Sequence, residues 1–437
     1  MEKLLLPLAL VLVQLFGASI MMTDSELLSD MRFGYDRAVD LSGNIFVVSA
    51  APTGKSGCRY AIAKYNKKGE RLWARQGAQI ERISDFFAAI AVDTRGNAYV
   101  VETVPISSPP KESDIVYIRS GCVTSKYDAN GIEVWSARSN ATYEDAIDPM
   151  TVAVGENGDV CVAGTTAQED VLRDPSEISE NDILVKKYDS EGHLTWSARY
   201  DGPARYDDWP NKAMIDAEGN VYVAGTTREA ETGNQFVTIK YNASGTLLWA
   251  RHYTPGKGTF SAGADSLVVD ERGDIYVLGV SMSREDRRLQ MITVKYNKNG
   301  EQQWVAKYSG DGKEAAGATE VGVAADGGVY IAGSNNPSAR PSHDANAVGQ
   351  ETCEFVIIRY DAAGKEQWVA RYETPLDAKQ WISQMKVDRA GDVYLIAQIG
   401  SDALIAKYDS RGKRQWAKSF GKLSEFLRAL SSSLSGQ

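Results

Sequence analysis

The pattern (Lys/Arg)-Tyr-(Asp/Asn)-x-x-Gly-x-x-x-Trp occurs seven times in this chain, starting at Lys64, Lys126, Lys187, Lys240, Lys295, Arg359 and Lys407. Its tryptophans are Trp73, Trp135, Trp196, Trp249, Trp304, Trp368 and Trp416, spaced by 62, 61, 53, 55, 64 and 48 residues. A repeat of this period means a propeller or a solenoid, because each unit buries its apolar faces only against its neighbours. Nearly the whole chain is therefore one array.

A second element precedes each copy: Asp-x-x-Gly-(Asn/Asp)-x-(Tyr/Phe)-Val, as at Asp40 to Val47, Asp93 to Val100, Asp216 to Val223 and Asp270 to Val277. Variants run from Gly155 to Val162, with Cys161 in the aromatic place, from Ala324 to Ile331 and from Asp388 to Leu395. Both elements centre on a four-residue turn. Asp or Asn at its first position accepts backbone hydrogen bonds, and Gly at its fourth takes a positive φ. The flanks alternate: Leu194, Trp196, Ala198 and Tyr200 share one face, and Thr195, Ser197 and Arg199 share the other. That is strand periodicity. Each repeat reads as strand a, turn, strand b, longer loop, strand c, turn, strand d. The expected fold is all-β, a seven-bladed β-propeller with four antiparallel strands per blade over residues 30–419. The seven Trp are expected to be blade core, each facing a neighbouring blade.

These motifs resemble those of the SBBP-type propeller repeat proteins, an exported bacterial family. Its repeats run Val-Asp-x-x-Gly-Asn-x-Tyr-Val-x-Gly-x-Thr and then Lys-Tyr-Asp-x-x-Gly-x-x-x-Trp. Residues 215–227 match the first half, with Ile215 for Val, and Lys187 to Trp196 match the second. The resemblance implies a fold and an exported location, and it carries no catalytic residues. A weaker similarity links the chain to quinoprotein propellers. Their docking motif has one more residue between Asp and Gly than Asp189 to Gly192 allows, and no quinone or other cofactor is expected.

Residues 4–13 form an apolar run behind Lys3, and Gly17-Ala18-Ser19 offers small residues for cleavage. This reads as a signal peptide over residues 1–19. The rival is a signal anchor, since residues 4–22 carry no charge. The expected location is secreted, periplasmic or at the cell surface, with no membrane span unless that segment is retained. At the other end, Leu423, Phe426, Leu427, Leu430 and Leu434 fall on one helical face, which predicts a short amphipathic helix within 420–437. Cys58, Cys122, Cys161 and Cys353 fit no zinc spacing. A bridge between Cys58 and Cys122 stays open.

Strand order in a four-stranded antiparallel blade puts the a–b and c–d turns at one end and the b–c and d–a connections at the other. Binding residues concentrate on loops held by a rigid scaffold, so the loop end is the candidate surface. Its longest b–c loops are expected at 102–118, 165–182 and 334–352, and blade 7 has almost none, at 398–402. The 165–182 loop holds Glu169, Asp170, Asp174, Glu177, Glu180 and Asp182 against Arg173 alone. It lacks the fixed frame of a calcium loop, and no metal is assigned to it. The net charge of −10 argues against nucleic acid, which selects clustered Lys and Arg.

Seven residues before the first-turn Asp stand Phe33, Phe86, Trp209 and Trp381, a possible collar for stacking on a sugar or peptide. Their strand parity also suits packing between blades. Asp85, Asp148 and Asp208 fall near the expected channel mouth, where paired carboxylates could do acid–base work. Of three histidines, His193, His252 and His343, only His343 lies in a long loop. The binding candidates are Trp209, Trp381, Phe86, Asp148, Asp208 and His343, with no catalytic residue assigned. The expectation is a non-enzymatic exported scaffold that binds a protein or glycan through its loop face. Two other classes stay open: a hydrolase or lyase with carboxylates at the channel mouth, and a structural cell-surface protein.

Overall fold

The computed structural model describes residues 33–420 except 41, 43, 53–57, 67–69, 81–86, 107–118, 140–146, 168–180, 230–231, 257–258, 286–288, 311–315, 336–352, 375–379, 389 and 400–401. The N-terminal apolar segment and the C-terminal helix expected within 420–437 lie outside these residues. Among the described residues no helix is long and apolar enough to cross a membrane.

The fold is all-β, with seven four-stranded antiparallel sheets that are the seven blades of a β-propeller. Blade 1 is β1 (Phe33–Val39), β2 (Ile45–Pro52), β3 (Cys58–Tyr65) and β4 (Arg71–Ile80). Blade 2 is β5 (Ala88–Val92), β6 (Ala98–Ile106), β7 (Arg119–Tyr127) and β8 (Glu133–Arg138). Blade 3 is β9 (Asp148–Val154), β10 (Val160–Ala167), β11 (Asn181–Tyr188) and β12 (Leu194–Tyr200). Blade 4 is β13 (Asp208–Ile215), β14 (Val221–Glu229), β15 (Gly233–Tyr241) and β16 (Leu247–Tyr253). Blade 5 is β17 (Thr259–Val269), β18 (Ile275–Ser283), β19 (Leu289–Tyr296) and β20 (Gln302–Tyr308). Blade 6 is β21 (Ala316–Val323), β22 (Val329–Asn335), β23 (Cys353–Tyr360) and β24 (Glu366–Thr374). Blade 7 is β25 (Gln380–Val387), β26 (Val393–Ile399), β27 (Asp402–Tyr408) and β28 (Arg414–Phe420).

Over the described residues the chain forms two compact units. One runs to Val223 and includes Lys240–Leu248; the other comprises Ala224–Ile239 and Trp249 onward. In the first, inner strands β1, β5, β9 and β13 follow one another side by side; in the second, β17, β21 and β25 do so. The core lies between blades. In the first unit Phe46, Val48, Tyr60 and Ile62 of blade 1 pack on Ile90, Val100 and Tyr127 of blade 2. In the second, Phe355 and Ile357 of blade 6 pack on Leu395, Leu404 and Tyr408 of blade 7. The b and c strands are buried on both faces, and their apolar runs are accordingly continuous, as in Val160-Cys161-Val162-Ala163. The outermost strands keep the two-residue alternation, with Glu133, Ser136 and Arg138 of β8 exposed.

The b–c pairs run further than the loop bounds expected from turn residues. β6 and β7 stay in register from Ala98↔Tyr127 to Ile106↔Arg119, so the blade 2 loop shrinks to 107–118. Likewise β10 reaches Ala167 and β22 reaches Asn335. Polar residues such as Thr165 and Thr166 continue the ladder because pairing depends on the backbone, not on an apolar side chain.

The turns follow from their side chains. At 189–192, Asp189 Oδ1 accepts from Glu191 N and His193 N, each at 2.9 Å, and Gly192 turns back at φ 89°. Blade 6 lacks the leading carboxylate, since Ala324 stands there. In blades 2, 4 and 5 the strand-b tyrosine donates to its own turn, as Tyr222 does to Asp216 Oδ2 at 2.9 Å. In blade 6 Tyr330 instead donates to Gly391 O of blade 7 at 3.1 Å.

Candidate functional site

The two ends of the blades are built differently. At the turn end six of the seven Trp tie their blade to the next. Trp73 Nε1 donates to Ala129 O at 3.1 Å, Trp135 to Ser190 O and Trp196 to Ala243 O, both at 3.0 Å. In the second unit Trp249, Trp304 and Trp368 donate in the same way to Lys298, Ala362 and Ser410. The glycine of the receiving turn lies on the indole face, with no room for a Cβ. The lysine that opens six of the seven motifs, Arg359 opening the other, adds to this. Lys64 lies 4.6 Å from the Phe46 ring centroid and donates to Ala129 O. Lys295 pairs with Asp274 at 2.9 Å and lies over Tyr276. In blade 3, where Cys161 replaces the aromatic, Lys187 pairs with Asp159 at 2.9 Å and donates to Gly219 O. These cations and indoles are therefore engaged within the scaffold. Trp73 and Trp249 are buried, Trp135, Trp196, Trp304, Trp368 and Trp416 are half-buried, and Trp135, Trp304 and Trp368 pack against the apolar clusters between blades.

At the loop end, acidic groups converge in blades 3 and 4. Asp182 at the start of β11, Asp201 after β12 and Asp208 at the start of β13 bring one carboxylate oxygen each within 4.8 Å of the others. Asp182 and Asp208 are fully buried, and Asp201 is exposed. Arg199 Nε donates to Asp182 Oδ2, and Gly202 N donates to Asp208 Oδ2 at 2.6 Å. The connecting segment is held by Asn181, whose N and Nδ2 both donate to Asp207 Oδ1 at 3.0 Å. Arg205, in the same segment, takes a left-handed φ of 55°. Three carboxylates offer the oxygen-only donor set that hard cations use, and Arg199 supplies one positive charge to it.

The candidates singled out from the sequence are dispersed. Asp208 enters the buried cluster. Asp148 is exposed at the start of the adjacent inner strand β9. Trp209 is half-buried in β13, next to Asp208 in sequence. Trp381 lies in β25, while Phe86, Asp85 and His343 lie outside the described residues. The aromatic collar is not continuous, because Asp148, Gly263 and Gly317 hold the equivalent places in blades 3, 5 and 6. Asp182 was visible only as one of several loop acids. Its meeting with Asp201 and Asp208 depends on how the 201–207 connection folds back, which no periodicity encodes.

The histidines and cysteines are placed as follows from the strands and turns that carry them. His193 Nδ1 lies 3.1 Å from Asp189 Oδ2 in an exposed turn. His252, at the end of β16, is held below the usual imidazole range by burial, against the opposing pull of Glu229. Cys122, Cys161 and Cys353 are buried free thiols. Burial pushes Cys122 up to about 11 and Cys161 up to about 12.

No family model and no curated protein matches the chain. Among solved structures it is similar to an ulvan lyase of polysaccharide lyase family PL25, with 12% identity, 74% of this chain and 80% of that chain covered and a TM-score of 0.45. It is also similar to the β-propeller domain of the Trilobed protease from Pyrococcus furiosus, with 10% identity, 90% and 96% coverage and a TM-score of 0.43. A puromycin hydrolase mutant is similar at 11% identity, with 91% and 55% coverage and a TM-score of 0.46.

Proposed function

We propose that this chain is an exported, non-catalytic β-propeller of the SBBP type that captures a protein or glycan ligand through its b–c and d–a loops. One observation carries the reading. The turn end is occupied by a repeated set of indole and lysine bonds between blades, which commits those side chains to the scaffold. The loop end varies from blade to blade in length and charge, and a rigid scaffold bearing variable loops is the usual setting of a binding surface. Export is read from the apolar N-terminal run of residues 4–13.

The test is one capture series on the chain lacking residues 1–19. Replacing 336–352 or 168–180, the stretches between the paired strands, by a short turn is expected to abolish capture and leave the unfolding midpoint in place, because loop-closure cost changes only slowly with length. Glu191→Lys with Lys298→Glu, in the c–d turns, is expected to leave capture unchanged. Capture lost from the turn variants and kept by the loop variants overturns the proposal.

A further inference from the structure

The pair formed by Arg199 and Asp182 in blade 3 recurs in blade 6, where Arg371 Nη1 donates to Glu354 Oε2 at 3.2 Å. Asp182 and Glu354 both stand five residues before the residue that opens the motif, and Arg199 and Arg371 twelve after it. The inner strand that follows differs. Eight residues before its first-turn Asp, blade 7 has the neutral Gln380 and blade 4 has Asp208. Blade 6 pairs one buried acid with one guanidinium, whereas the junction of blades 3 and 4 adds a second, fully buried carboxylate. Asp201, exposed on the connection between them, brings a third, and one oxygen of each acid lies within 4.8 Å of the others. The two buried acids each engage one oxygen in the protein: Asp182 Oδ2 accepts from Arg199, and Asp208 Oδ2 from Gly202 N at 2.6 Å. Their second oxygens, Asp182 Oδ1 and Asp208 Oδ1, are buried and accept no hydrogen bond among the described residues.

We infer that Asp182, Asp201 and Asp208 form a calcium site at the loop end of blades 3 and 4, with Asp182 Oδ1 and Asp208 Oδ1 as its inner ligands. A buried carboxylate oxygen that meets no donor is strongly disfavoured unless a cation meets it, and two such acids in one cluster repel each other besides. The spacing suits calcium. Its bonds to oxygen are about 2.4 Å long, so ligands on opposite sides of one ion stand about 4.8 Å apart. Burial favours calcium over magnesium, because magnesium sheds its water reluctantly and calcium accepts a shell made largely by protein oxygens. Arg199 stays on Asp182 Oδ2, where it orients the carboxylate and leaves Oδ1 to the metal. Asp201 completes the three carboxylates from the exposed side, by which the ion enters.

The experiment adds terbium, a luminescent stand-in for calcium, to the calcium-stripped full chain and excites tryptophan. Trp209, which follows Asp208 in β13, is the sensitiser. Saturable emission is expected, displaced by calcium at about 0.1–1 mM, the range of extracellular calcium modules, and not by the same concentration of magnesium. Calcium should also raise the thermal midpoint of the native chain, because it binds the folded form alone. Asp208→Asn and Asp201→Ala should each lower calcium affinity roughly tenfold or more, since ligand charge and number set it. Asp201 is exposed, so its variant keeps the test open where the buried one fails to fold. Glu177→Gln, in the acidic 168–180 loop, should bind calcium as the native chain does. Four results overturn the inference: no calcium-displaceable emission from the native chain, equal displacement by magnesium, unchanged calcium affinity in folded Asp201→Ala, or an equal loss in Glu177→Gln.

Discussion

Gly245 lies flat against the indole of Trp196: at φ 86° its backbone approaches so closely that a Cβ would fall 2.7 Å from the ring. Two residues earlier in the same turn, Ala243 O accepts the Trp196 Nε1 hydrogen at 3.0 Å. One turn thus fixes both the plane and the edge of the indole. Gly245→Ala meets two penalties, the left-handed backbone and the ring, and is expected to cost about 2–3 kcal/mol. Gly317→Ala is the control. Its Cβ would find only ordinary contacts, with Ser334 Oγ at 3.6 Å, and it should be neutral or stabilising by about 0.5 kcal/mol. Urea unfolding midpoints distinguish the two.

Trp196 is half-buried, so its removal should fall toward the low end of the cost for deleting a large aromatic, about 3 kcal/mol for Trp196→Ala. Trp196→Phe keeps much of the apolar contact and loses the bond to Ala243 O, which should cost about 1 kcal/mol. The separation of the two variants in equilibrium unfolding measures how much of the staple is the hydrogen bond.

Cys122 and Cys161 should resist thiol reagents in the native chain at pH 8, because both are fully buried and burial disfavours the thiolate. Labelling should appear only with unfolding, at a rate that follows the loss of structure. Rapid modification before unfolding contradicts their placement.

The raised carboxyl of Asp265 gives stability a defined pH dependence. Its folded value of about 6 lies above the unfolded carboxyl, so the charged form costs stability above pH 6. That cost is relieved as pH falls through 6 toward 4. Asp265→Asn should therefore be more stable than the native chain at pH 7.5 and equal to it near pH 3.5. The difference should be about 1 kcal/mol after allowance for solvent screening. His252 works in the opposite direction. Its lowered value removes stability as pH falls below the ordinary imidazole range, and comparing variant with native chain at each pH cancels it. Thermal unfolding across this range is the measurement.

The turns were legible because their chemistry is local. Asp189 and Gly192 announce a hairpin from four residues, and the tyrosines and tryptophans mark the strands beside it. The partner of each Trp was less legible. An aromatic at a strand position suggests blade core, whereas the structure gives Trp196 a carbonyl 47 residues away in the next turn. The glycines of strand b were visible in the sequence, but their purpose was not. Gly164 makes room for Asp148 O and Gly279 for Gly263 O, and both contacts depend on how closely two backbones approach. The register shift in β17 that leaves Asp265 as its extra residue, between Ala264↔Gly279 and Ser266↔Leu278, is likewise passed over by apolar alternation alone. The Asp182, Asp201 and Asp208 cluster was equally hidden, since it joins residues from β11, the connection after β12 and β13.

The most direct test of the account is a hydrogen-exchange footprint of the captured ligand on the chain lacking residues 1–19. Slower exchange is expected in 107–118, 168–180, 336–352 and the 201–207 connection, with the c–d turns at 189–192 and 242–245 unchanged. Protection confined to those turns, with the loops unchanged, would contradict the assignment of binding to the loop end.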